Sequence, residues 1–307
     1  MLLSIDHGNK SIKGVYSDPF VCGLSVSDTR PFGDGVLKYR NRYYLLSEER
    51  LPYRRDKTED ENYFILTLFA IAREIEAMGK YQSGVIPIQL AVGLPPAYFG
   101  AQKASFVRYF SNRGTIAFSY RGKSFNILIT EVACYPQSYA AAVTAFQELK
   151  DIPRAIVLDI GGYTADYLQI RNGAGDLAVC DSLEQGVILL YNKVKSRARA
   201  ENDVLLSEAE IDDILMGRQS AARAEIMALA ENLAQECVAN LMNTLREHQL
   251  ELKSGCIVFV GGGSLLLRNQ IEGSGKVGRM IFVEDVRANA KGYELLYTDG
   301  SEELRTL

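Results

Sequence analysis

Two segments of this chain carry the same pattern, and that internal echo leaves few folds open to it. LLSIDHGNKSIK (2–13) and AIVLDIGGYTAD (155–166) each run an apolar strand into an aspartate, with glycine two positions on and serine or threonine five positions on. The matched residues are Asp6, Gly8 and Ser11 in the first half, and Asp159, Gly161 and Thr164 in the second. The strand holds the aspartate rigidly at its C-terminal end. The glycine lets the backbone turn sharply and come close to a ligand. Successive N–H groups in such a turn form an anion-binding concavity. Two such turns facing each other would clamp a polyphosphate. The aspartates beside it would hold the water shell of Mg2+, a cation that keeps several waters when bound.

A third glycine cluster lies in CIVFVGGGS (256–264), where a buried strand runs into three glycines and then a helix, Leu265–Ile271. Consecutive glycines there suit close approach of a flat ligand or a phosphate to the backbone. The stretch Gly273-Ser274-Gly275-Lys276 has neither the upstream glycine nor the following Ser or Thr of a P-loop and reads as a plain loop.

Around these segments the hydrophobic spacing predicts strands at Leu2–Ile5, Ile12–Tyr16 and Ile86–Val92, with a turn at Asp6–Lys10. Hairpins are expected over Leu37–Leu46, turning at Arg40–Asn41, and over Thr115–Thr130, turning near Arg121–Lys123. A helix is read through Phe64, Leu68, Ile71, Ile75 and Met78, and an Ala-rich helix over Ser138–Leu149. The second half restarts with strands at Ala155–Leu158, Tyr167–Ile170 and Leu177–Cys180, then a helix from about Gly186 to Arg199. Ser207 and Glu210 make a capping box. A long amphipathic helix follows through Ile226, Leu233, Leu241 and Leu245, then strands at Ile257–Val260 and Met280–Val283 and a last helix, Ala288–Leu296. Two α/β halves are expected, with a hinge near Lys150–Arg154.

Composition excludes several function classes. With 307 residues, 47% hydrophobic and 23% charged, the chain can bury two cores without disulfides or metals. A net charge of −4 and a pI of about 5.5 disfavour tight direct DNA binding. The basic run Lys193–Arg199 reads as a solvated helix face. Five cysteines without a CxxC, and only two histidines, argue against a zinc site or a disulfide framework. No apolar run reaches the ~20 residues that span a bilayer, and MLLSIDHGNK has no basic leader region. A soluble, cytoplasmic protein with no membrane contact is expected.

In order and spacing, the three glycine segments resemble the nucleotide-binding signature of the actin, heat-shock chaperone and sugar kinase superfamily. IDHGNKSIK (5–13) resembles phosphate motif 1, LDIGGYTAD (158–166) phosphate motif 2 and FVGGGSLL (259–266) the adenosine motif. ACYPQSYAAA (133–142) and LEQGVILLYNKV (183–194) resemble the two connecting helices. AVGLPPAYF (91–99) and VRANAKGYELL (286–296) are similar to segments of the plasmid-segregating actin-like ATPases of the ParM type. The resemblance implies an α/β actin-like (ribonuclease H-like) fold, with two lobes flanking an interlobe nucleotide cleft. Lobe I would comprise 1–150 with 288–307, and lobe II 151–287.

The resemblance also implies roles. Asp6 and Asp159 would orient Mg2+ through its waters. Gly8, Asn9 and Lys10 would offer amides to phosphate, and Lys13 would reach the β-phosphate. Gly161, Gly162, Tyr163 and Thr164 would cradle the γ-phosphate side, and Gln137 would position the attacking water. Gly186 would let the sugar approach, and Gly261, Gly262, Gly263 and Ser264 would flank the adenosine. Where this chain has Gln137, ParM has glutamate and actin glutamine. An amide orients water without acting as a base, which implies slow hydrolysis. His7 is read as a supporting or solvent-facing residue, Asp166 as a structural carboxylate, and Arg218 and Gln219 as candidates to line the base pocket.

The function implied is an ATPase (or GTPase) that polymerises into dynamic filaments for plasmid partition. It would bind itself and an adaptor protein on centromere-like plasmid DNA, with no direct nucleic-acid contact. Two alternatives stay open. One is a small-molecule kinase of the same superfamily, with Glu131 or the 56–61 stretch as base. The other is a nucleotide-dependent cell-division or cytoskeletal scaffold.

Overall fold

The computed structural model describes residues 1–218, 220 and 222–299; Gln219 lies outside the described residues. The chain divides into two compact units, Met1–Thr144 with the segment from Arg287 onward, and Ala145–Val286.

In the first unit, β1 (Leu2–Ser4), β2 (Asp6–His7), β3 (Ser11–Lys13), β4 (Phe20–Val21), β5 (Leu24–Ser27), β6 (Leu37–Tyr39) and β7 (Arg42–Leu46) lead to α1 (Asn62–Ala77). Then come β8 (Val85–Leu94), α2 (Pro96–Phe110), β9 (Thr115–Tyr120), β10 (Lys123–Pro136) and α3 (Tyr139–Val143). The main sheet has the order β1-β8-β10-β9-β6-β7-β5, with β1, β8 and β10 parallel, and β2, β3 and β4 form a separate small sheet. The C-terminal half of β8 is buried at every position from Leu90 to Leu94. Such a continuous apolar run is what a strand covered on both faces requires. Both expected hairpin turns form, with positive φ at Arg40 and Asn41 (46° and 63°) and at Arg121 and Gly122 (51° and 76°). That backbone twist matches the twist of the flanking strands.

In the second unit, α4 (Phe146–Leu149) precedes β11 (Arg154–Ile160), β12 (Ala165–Arg171) and β13 (Ala174–Leu183). There follow α5 (Val187–Asn202), α6 (Glu208–Leu215), α7 (Ala224–Glu247), β14 (Cys256–Val260), α8 (Gly262–Leu266), α9 (Arg268–Gly273) and β15 (Arg279–Phe282). The sheet order is β13-β12-β11-β14-β15, with β11, β14 and β15 parallel. Ile156, Leu158, Ile160 and Tyr167 on one sheet face pack with Tyr191, Val194, Ile226, Leu233, Leu241 and Leu245 from the helices. Ser207 and Glu210 form the capping box of α6. The last helix, α10 (Ala288–Thr298), belongs to the first unit.

Four local expectations are corrected. The strand expected over Ile12–Tyr16 ends at Lys13, because the next amides turn aside: Val15, Tyr16 and Ser17 all donate to the buried carboxylate of Glu74 at 2.7–3.2 Å. The single helix expected over Ser138–Leu149 is two, α3 and α4, parted at Ala145 (φ −103°, ψ 24°). Its first part is held by α10, where a Cβ on Gly292 would lie 2.9 Å from Ala140 Cα. The helix expected from Leu265 to Ile271 breaks at Leu267. Helix α2 is absent from the reading of the sequence, where Pro95-Pro96 serves only to end a strand. Pro96 is instead the first helical residue, where a missing N–H costs nothing. Phe99, Phe106 and Phe110 make its buried face.

Candidate functional site

In the first unit the phosphate 1 segment is built around Asp6. Its register partner across β2 and β3 is Lys13, whose Nζ lies 3.2 Å from Asp6 Oδ2. The other carboxylate oxygen accepts from Gln137 Nε2 at 2.7 Å. Gln137 directly follows β10, so the parallel strands β1, β8 and β10 carry these groups to one end of the sheet. Asp6 is 2% exposed and Gln137 7%. Two such desolvated polar groups require partners, and each satisfies the other. Lys13 is therefore an ion-pair partner of Asp6. The turn Gly8–Lys10 lies half-buried between β2 and β3. A Cβ on Gly8 would come within 2.7 Å of Ser11 O, so the turn closes this tightly only with glycine.

His7 faces inward, which corrects the solvent-facing expectation. It is fully buried, stacks on Phe110 with ring centroids 5.5 Å apart, and meets Phe106 edge-on. Its Nε2 lies 2.7 Å from Thr67 Oγ1, and the Thr67 hydroxyl donates to Tyr63 O at 2.6 Å. With that hydroxyl proton committed, His7 must be the donor, which fixes the Nε2–H tautomer and leaves Nδ1 bare. Burial first, then the Lys57 ammonium, lower the His7 pKa to about 3, against an opposing pull from Asp6. The imidazole is thus a neutral core group. Lys57, itself buried, donates to the His7 carbonyl.

In the second unit the turn after β11 is closed by Gly161 N donating to Thr164 O at 2.8 Å. Gly161 is therefore a turn-former whose amide is already committed. The start of α5 pins this loop. Val187 N donates to Gly161 O (3.2 Å), Ile188 N to Gly162 O (2.8 Å) and Gly186 N to Tyr163 O (2.9 Å). In a trans peptide the C=O and the following N–H point in opposite directions. Three carbonyls drawn to α5 therefore aim the amides of Gly162, Tyr163 and Thr164 away from it. Successive amides turned the same way in a turn are an arrangement that can receive an anion.

This arrangement also explains Gly186. A Cβ there would lie 2.5 Å from Gly162 O, so the glycine serves the contact between α5 and the loop. This packing requirement stands beside the expected role of letting a sugar approach. Asp159 sits opposite Asp166 in the β11–β12 register, and both are buried. Like charges directly opposed across strands repel. Asp166 is quieted by hydroxyl donors, Ser182 Oγ and Thr164 Oγ1, the latter at 3.2 Å. That gives the structural reading of Asp166 its physical content.

The glycine cluster after β14 splits in two. Asp159 and Val260 are register partners, so Gly261 starts beside Asp159 at the C-terminal ends of parallel strands, where α/β sheets bind ligands. Gly261 has φ 84°, and a Cβ there would lie 2.8 Å from Ile160 O. Gly262 is exposed. Gly263 and Ser264 correct the expectation: both are buried, and the Ser264 hydroxyl donates to Val260 O at 2.6 Å. A Cβ on Gly263 would meet Ile160 O at 2.6 Å. These two residues seat α8 on the sheet, and only Gly261 and Gly262 present backbone outward. Among the described residues no three His, Cys, Asp or Glu side chains converge. A Mg2+ here would draw most of its ligands from water and phosphate, as that ion prefers.

Comparison with known proteins follows the same division. The N-terminal domain family of actin-like proteins matches residues 32–139, and the C-terminal family of the archaeal MreB-like actin homologue matches 157–273. No curated protein matches by sequence. Among solved structures, the archaeal actin homologue Ta0583 superposes with a TM-score of 0.76 at 18% identity, covering 97% of this chain and 99% of that one. Its complex with ADP gives 0.74 at 18% identity, covering 98% and 100%. A 15-stranded ParM filament from Clostridium botulinum gives 0.74 at 17% identity, covering 97% and 99%. With the two family matches lying one in each unit and the fold shared end to end, the chain belongs to the actin-like proteins.

Proposed function

We propose that this protein is a slow nucleoside triphosphatase that binds Mg-ATP through its two strand–turn elements and assembles with copies of itself into dynamic filaments. The observation that carries this reading is the loop 161–164. Three of its four carbonyls are held by the start of α5, which turns the amides of Gly162, Tyr163 and Thr164 away from that helix, beside a buried aspartate at the end of a parallel strand. Such an arrangement suits phosphate. In the first unit, Gln137 hydrogen-bonded to Asp6 supplies an amide that orients water. Mg2+, when bound, would neutralise developing charge on the phosphates. Turnover rests on positioning and electrostatics, which suffices for phosphoryl transfer.

Self-association is favoured by the filament-forming ParM relative, and nucleotide binding by the relative solved with ADP. Plasmid partition through an adaptor on centromere-like DNA is the finer reading, and the acidic pI of about 5.5 suits such indirect contact with DNA. Among the described residues no helix is long and apolar enough to cross a membrane. For the kinase alternative, three of the candidate carboxylates are engaged in local hydrogen bonds. Glu131 accepts from Tyr297 at 2.5 Å, Asp56 accepts from Thr58, and Asp60 from Asn62.

The test is light scattering of the purified protein with Mg2+ and no nucleotide, ATP, GTP or a non-hydrolysable analogue, with phosphate release followed on the same sample. A rise that needs nucleotide and depends on protein concentration, with phosphate release lagging it, is expected. A flat trace with no phosphate release would overturn the proposal.

A further inference from the structure

Between Gln137 and α3 the backbone does something costly. Ser138 has φ 62° and ψ −58°, outside the regions open to residues with a side chain. Tyr139 N donates back to Gln137 O at 2.6 Å, closing a three-residue γ-turn centred on Ser138. The positive-φ form of this turn is rare and strained. Such strain persists only where surrounding contacts impose it. The Ser138 side chain is not what imposes it: it is fully buried, and its hydroxyl has no partner among the described residues. The backbone amide is held instead, because Ser138 N donates to Asn289 Oδ1 at 3.0 Å. Asn289 is 7% exposed and is the second residue of α10, the helix that packs on Ala140 through Gly292.

We propose that Asn289 is a positioning residue for hydrolysis: by gripping the Ser138 amide it enforces the γ-turn, and the turn delivers the Gln137 amide to Asp6. This rests on the proposed role of Gln137 in orienting water. A relaxed residue 138 would rotate the Gln137 peptide and swing its side chain off the 2.7 Å bond to Asp6. Serine at this position makes an external clamp necessary, since glycine alone adopts positive φ at no steric cost.

That difference supplies the test. Asn289→Ala should lower the maximal rate of phosphate release about 10–100-fold, as displacements of about 1 Å do, with nucleotide affinity unchanged. The double variant Ser138→Gly with Asn289→Ala should regain most of the lost rate, because glycine holds the turn without the clamp. In parallel, NMR exchange of the Tyr139 amide, which closes the turn, should quicken in Asn289→Ala and slow again in the double variant.

A wild-type rate in Asn289→Ala would overturn the clamp and leave the proposed function standing. A loss that glycine does not repair would also overturn it, since Asn289 would then serve only the packing of α10. If the wild-type protein itself releases no phosphate, the proposed function fails instead. The Tyr139 exchange then decides the clamp alone, and unaltered exchange in Asn289→Ala would overturn it.

Discussion

Gln137 Nε2 donates to Asp6 Oδ1 at 2.7 Å, across 131 residues of sequence. The residue proposed to orient water is thus held by the residue proposed to orient the metal, and Lys13 balances the same carboxylate from its other side. Removing Lys13 strands a carboxylate that is 2% exposed. Lys13→Ala should destabilise the protein by about 3 kcal/mol, the low end of the cost of breaking a buried pair, measured by denaturant titration. Gln137→Ala should cut phosphate release about 100-fold with nucleotide affinity preserved.

Asp159 separates binding from turnover. The contacts proposed for phosphate are backbone amides, which truncating the Asp159 side chain does not remove. Asp159→Ala should abolish phosphate release and leave nucleotide binding largely intact. Normal turnover in this variant would contradict the assignment.

Gly186→Ala probes the 161–164 loop from behind. The new methyl would sit 2.5 Å from Gly162 O and push the loop off the start of α5. Nucleotide affinity should fall at least tenfold, about 1.4 kcal/mol. An unchanged affinity by calorimetry would remove the loop from the site.

His7 makes stability acid-sensitive. Its folded pKa, lowered to about 3, lies below the ordinary value of 6.5. The unfolded chain therefore binds the extra proton throughout that interval. Stability is full above about pH 6.5 and falls as pH drops towards 3, by up to about 1.4 kcal/mol per pH unit. His7→Phe should flatten the pH 4–6 limb of a stability profile. A limb as steep as in wild type would place the acid sensitivity elsewhere.

Glu74 anchors the chain after β3. Its carboxylate takes three consecutive amides, and Gly14 faces it so closely that any Cβ would collide with the side chain. Glu74→Leu should cost about 3 kcal/mol, because the buried amides of Val15 and Ser17 and the part-buried amide of Tyr16 lose their acceptor, at about 1–3 kcal/mol for a buried donor. Thermal unfolding monitored by circular dichroism measures this.

The strand–aspartate–glycine echo, the capping box at Ser207 and the amphipathic spacing of α7 were all legible in the sequence, because each is written in residues close together along the chain. Local chemistry there dictates local form. What only the tertiary structure decided concerns partners far apart in sequence. Glycines 186 and 263 looked like room for a ligand, and the tertiary structure adds a second demand on each, close passage of backbone at Gly162 O and Ile160 O. His7, read as supporting or solvent-facing beside its aspartate, is closed over by Phe106 and Phe110, on a helix hidden behind two prolines. Glu74 reads as one more polar residue on a helix until three amides some 57 to 59 residues away converge on it. The pattern of residues along the chain sets which turns form. Which groups in those turns remain available to a ligand is set by the hydrogen bonds that packing has already claimed.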